Sequence, residues 1–212
     1  PLFICFFTLA FALPAQAQER FLNIEKVTSP GGVTAWLAED GSVPVIAMEF
    51  AFKGAGAAND PEGRQGLVRL LSNTMDEGAG ELDSTAFQEA LREDAISLSF
   101  GSSRDSFSGS LKTLKENKAR AFELMALALN APRFDAEPLE RMKQANLESI
   151  RSSLANPEWQ AARLLNAVAF EGHPYARNSG GTLSSIPAIT AEDLRAFSAR
   201  FGTLSAPRVT PW

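Results

Sequence analysis

The clearest periodic signal in the chain lies at Leu67, Leu70 and Leu71, continued by Thr74, which fall at i, i+3, i+4 and i+7. That spacing predicts a helix over residues 66–75 with one stripe toward a core, ended by the glycines of Glu77-Gly-Ala-Gly80. Arg69, Ser72 and Asn73 share the opposite face. Alternation over 33–38 and 45–52 predicts two strands paired around the turn Glu39-Asp-Gly-Ser42. Residues 96–101 and 106–111 alternate likewise on either side of Ser103-Arg-Asp105. A helix capped by Ser84 or Thr85 should run to Glu93, with Gln88 completing a capping box with Thr85. Residues 118–130 are apolar almost all round and read as a buried helix. Asp135 should cap a helix to about Leu154, Asn156-Pro157 should start another ending near Phe170, and Thr190-Ala-Glu-Asp193 should open the last. Strands early and helices mostly later predict an α+β domain, its helices packed on one face of an antiparallel sheet.

Composition changes this picture little. The 212 residues are 45% hydrophobic and 21% charged, as expected of one globular domain. A net charge of −5 without a basic cluster argues against nucleic-acid binding. Residues 1–17 read as a secretory signal peptide: an apolar run from Leu2 to Leu13, Pro14, then the small-x-small site Ala15-Gln-Ala17. The run is shorter than the ~20 residues of a membrane-spanning helix, so no stable span is expected. Without an initiating Met or a basic leader, the sequence is expected to begin inside that signal. Cys5, the single cysteine, falls within it, which leaves no disulfide or thiol chemistry for the mature chain. Residues 203–212 contain Pro207 and Pro211 and read as an irregular tail.

The segment Asp60–Gly80 resembles the signature region of the insulinase-type (M16) zinc peptidases, in which an inverted His-x-x-Glu-His motif supplies two zinc ligands and a catalytic carboxylate. Position by position, the first His corresponds to Arg69, the Glu to Ser72 and the second His to Asn73. The family's third ligand, a Glu, corresponds to Ser149 within Leu147-Glu-Ser-Ile-Arg151, with Glu148 as the adjacent alternative. Residues 42–54 resemble the family's second strand and its Gly exit, and Ala131-Pro-Arg-Phe134, Gly172-His-Pro-Tyr175, Gly180-Gly-Thr182 and 189–194 resemble later landmarks in the same order.

The resemblance implies an M16 peptidase-like N-terminal domain over residues 22–202, a further strand after Phe201 and a second similar domain. Periodicity alone reads Arg69, Ser72 and Asn73 as a solvated helix face, whereas the resemblance turns them toward a cleft. It also implies a degenerate metal slot at Arg69, Ser72, Asn73 and Ser149, with no catalytic residue and no metal in this chain. A catalytic zinc takes three protein ligands, usually including histidine, and His173 is the only histidine. His173 is expected to serve a loop, Glu148 and Glu158 to be surface acids of helices, and Gly78, Gly80, Gly180 and Gly181 to make turns. Ser72 has no histidine to activate it. The function implied is that of a secreted, periplasmic, non-catalytic subunit that joins a zinc-bearing M16 partner in enclosing an unfolded peptide. Two alternatives stay open: an active metalloendopeptidase with an unrecognised metal site, and a stand-alone binding or assembly protein on the same fold.

Overall fold

The computed structural model describes residues 23–202. The signal-peptide segment and the tail at 203–212, with the strand expected after Phe201, lie outside the described residues.

Five strands form two antiparallel units. β1 (Ile24–Thr28) and β2 (Thr34–Ala38) make a hairpin, while β3 (Val45–Lys53), β4 (Ser97–Ser102) and β5 (Ser106–Leu114) form a sheet in the order β3-β5-β4. The expected pairing of 33–38 with 45–52 does not occur. A tight turn with Gly32 at φ +82° returns β2 onto β1 instead. β3 pairs along all nine residues with β5, because that register puts the apolar residues of both strands on one face. Met48 stands opposite Leu111, Phe52 opposite Phe107, and Phe50 opposite Gly109. A Cβ at Gly109 would run into the Phe50 ring, so glycine is required there. The other face carries Ser99, Ser108 and Ser110, and the hydroxyls of Ser99 and Ser110 are hydrogen-bonded at 2.8 Å.

The helices cover the apolar face, as an α+β domain requires. They are α1 (Leu67–Ser72), α2 (Ser84–Glu93), α3 (Lys118–Asn130), α4 (Ala136–Leu154), α5 (Pro157–Ala169), α6 (Ser185–Ala188) and α7 (Ala191–Ser198). Phe52 and Phe107 of the sheet pack with Phe201, whose ring centroid lies 4.6 Å from that of Phe52, in the core that also holds Leu67, Leu70 and Leu71.

Several helix ends differ from expectation. α1 stops at Ser72, and the chain continues as a turn. There the Thr74 hydroxyl donates to the carbonyls of Leu70 and Leu71, competing for the acceptors a longer helix would use. Gly78 and Gly80, both at positive φ, shape the loop beyond rather than the helix end. Asp83 caps α2 in place of Ser84 or Thr85, accepting from the Ala86 N–H, and Gln88 donates to the Asp76 carbonyl. An aspartate one residue earlier offers a charged acceptor at the same helix terminus, so it displaces the hydroxyls. α3 is buried along the single stripe Ala121, Leu124 and Ala128 rather than all round. α4 begins after Asp135, but that carboxylate accepts from Arg133 Nε instead of a helix N–H. Asn156 caps α5 and Thr190 closes a capping box with Asp193, both as predicted.

Candidate functional site

The entry to α1 is fixed by buried polar contacts. Gly66, at φ +87°, swings the chain into the helix. Asp60, only 4% exposed, accepts hydrogen bonds from the N–H groups of Gly66 (2.7 Å) and Val68 (3.1 Å). Burial pushes the Asp60 carboxyl up to about 6, although the backbone donors and the Arg177 charge pull the other way. Arg177 also donates to the Asp60 carbonyl. Gly66 and Gly181 meet face to face: a Cβ on Gly66 would lie 2.7 Å from Gly181 Cα. Ser185 Oγ donates to the Gln65 carbonyl at 2.7 Å. The segment around residues 178–185 is thereby docked on the start of α1.

Beside this junction α1, α4 and the loop 178–180 enclose a polar cleft of about 310 Å³. Arg69 and Ser149 both line it. Ser72 does not: it is 4% exposed, and its hydroxyl is turned back to donate to the Arg69 carbonyl at 2.8 Å. Asn73 caps the helix and donates through Nδ2 to Asn146 Oδ1 at 2.8 Å. Glu148 points elsewhere and pairs with Arg151 on the exposed side of α4, whereas Ser149 faces the cleft. The structure thus brings Arg69 and Ser149 to one cleft, ties Asn73 to the lining residue Asn146, and turns the Ser72 hydroxyl back onto its own helix.

Asn146 is the member the sequence reading missed. It lies on the buried stripe of α4 with Leu139, Leu147 and Ile150, and is 8% exposed. A lone amide on an otherwise apolar stripe was the available signal. Its Nδ2 is buried without a hydrogen-bond partner, a condition that costs roughly 1–3 kcal/mol.

The cleft lacks the chemistry of a zinc peptidase. Arg69 is a permanent cation with no lone pair to offer, and an amide and a hydroxyl fill the two remaining ligand positions. These residues do not fit zinc. No group of three or more His, Cys, Asp or Glu side chains among the described residues is arranged to hold a metal ion. His173 accepts the Tyr175 N–H through Nδ1 in a short turn, away from the cleft lining. Gly181, at φ +85°, performs the turn duty expected of it. What the cleft offers is hydrogen-bond donors and one positive charge. Arg69 has no ion-pair partner among the described residues, and no carboxylate lines the cleft.

Residues 52–183 match the insulinase family of peptidases, M16. The chain belongs to that family. A solved M16 inactive domain from Pseudomonas fluorescens shares the fold at a TM-score of 0.80 and 26% identity, over 89% of this chain and 46% of that one. A structure described as a protease from Helicobacter pylori superposes at a TM-score of 0.74 and 18% identity, with the same coverages, and attests the fold alone. Among curated proteins, the "non-peptidase homolog YmxG" of Helicobacter pylori is 29% identical over 74% of this chain and 36% of its own length. Subunit 1 of the mitochondrial cytochrome b-c1 complex of Caenorhabditis elegans is 22% identical over 66% of this chain and 30% of its own. The chain therefore spans about a third of the curated relatives it matches. It is an M16 domain of the zinc-less kind, and no helix among its described residues is long and apolar enough to cross a membrane.

Proposed function

We propose that this M16 domain is non-catalytic and forms part of the wall of a peptide-binding chamber, completed by a zinc-bearing M16 subunit that performs the hydrolysis. The observation that carries the reading is the cleft itself. α1 and α4 flank a cleft lined by Arg69 and Ser149, with Asn73 bonded to the lining residue Asn146, and none of the three is a usual zinc ligand. A retained cleft without a metal can still bind and orient a peptide, and positioning contributes to catalysis independently of water activation. The relatives described as a non-peptidase homologue and as an inactive domain support the same reading. We also propose export from the cytoplasm, on the strength of the apolar run and small-residue site in residues 1–17.

The test is reconstitution. The full-length protein, mixed with a zinc-bearing M16 subunit from the same genome, is expected to co-elute with it and to raise its hydrolysis of an unfolded peptide. The protein alone should be inactive. Zinc-dependent hydrolysis by the protein alone, or unchanged activity and no complex on mixing, would contradict the proposal.

A further inference from the structure

A second cleft of about 180 Å³ adjoins the first, and the two share Trp159, Asn178 and Ser179. Its lining contributes Arg104, Arg163 and Arg177, so with Arg69 the joined groove presents four guanidinium groups. No carboxylate side chain lines either part. This runs against the chain as a whole, which carries a net charge of −5. The cations are also held in place. Arg163 lies over the Trp159 ring at 5.5 Å, Arg104 over the Tyr175 ring at 5.3 Å, and Arg177 donates to the Asp60 carbonyl at 3.0 Å. The ring contacts orient Arg163 and Arg104 without neutralising them. Arg177 faces the Asp60 carboxyl and Asp105 accepts the Tyr175 hydroxyl, so Arg69 and Arg163 supply the groove's least offset charge.

We propose that this groove binds acidic segments of an extended peptide, the carboxylates of successive Asp or Glu side chains seating against Arg69 and the cluster Arg104, Arg163 and Arg177. The inference rests on the chamber-wall reading and names the class of peptide it selects. Guanidinium groups suit carboxylates through paired, charge-assisted hydrogen bonds. A polynucleotide is the poorer candidate. The groove's one tryptophan is occupied by Arg163 rather than free as a stacking platform for bases.

Fluorescence anisotropy on the full-length protein at low ionic strength tests it. The probes are a labelled decapeptide alternating Glu and Ser, the same peptide with Gln for Glu, and a ten-nucleotide single-stranded RNA. The Glu peptide is expected to bind about tenfold more tightly than the Gln peptide, a few exposed charge pairs acting together. Raising salt should erase the difference. The double variant R69Q/R163Q, whose thermal unfolding should match the parent, is expected to bind the two peptides equally, and R69K/R163K to recover part of the preference. Because the Glu-to-Gln comparison uses the unaltered protein, the proposal stays open to refutation even if a variant fails to fold. Equal binding of both peptides overturns the acidic preference and leaves the chamber-wall reading standing. Failure to bind either peptide overturns both, and tighter binding of the RNA overturns the choice of ligand.

Discussion

Asp60 shows how much of the site depends on one buried carboxylate. It satisfies two N–H groups at the start of α1, yet burial raises its pKa from 3.8 to about 6. Between those values the folded protein holds a proton that the unfolded chain has released. Stability therefore falls as pH rises: the contribution is fully present below 3.8 and is lost as pH passes about 6. The shift corresponds to about 3 kcal/mol. Burial also raises the Asp76 carboxyl, so the Asp60 effect has to be read as a difference. We expect the parent to lose about 2 kcal/mol relative to Asp60→Asn between pH 4 and pH 7, as measured by denaturant unfolding. Parallel pH profiles for the two proteins would show that Asp60 does not titrate in that window.

At the scale of elements, we propose that α1 and α4 retain the mutual placement that a metal would need, and restoring ligands tests it. The quadruple variant Arg69→His, Ser72→Glu, Asn73→His, Ser149→Glu returns imidazole and carboxylate to the cleft. Asn146 Oδ1, which now accepts from Asn73, is placed to accept an imidazole N–H and so orient the new ligand. We expect measurable zinc affinity by calorimetry but little peptidase activity, because the remaining outer contacts around the cleft do not support metal chemistry. No zinc binding at all would show that the three positions do not converge as the structure places them.

Much of this pairing was legible beforehand. The stripe Leu67, Leu70, Leu71 located α1, and Asn156-Pro157 and Thr190-Ala-Glu-Asp193 located two helix starts. Strand pairing was not legible, because alternation says which residues share a face and not which strand lies beside which. Only the fit of Phe50 over Gly109 decides that β3 adds to β5. The cap of α2 escaped for a local reason: Asp83, Ser84 and Thr85 are all good caps, and the charged acceptor one residue earlier takes the Ala86 N–H. Asn146 escaped because its role exists only across 73 residues of sequence.

At the scale of the whole molecule, the serine-rich sheet face lies opposite the aromatic core, and the cationic groove opens beside α1, α4 and the loop 178–180. The account makes that groove a binding surface whose positive charge comes from arginine rather than from zinc. Metal analysis decides this most directly. The purified protein, dialysed without chelator after exposure to excess zinc, is expected to retain no stoichiometric zinc. One zinc retained per chain, and lost when Asn73 and Ser149 are both replaced by alanine, would contradict the account.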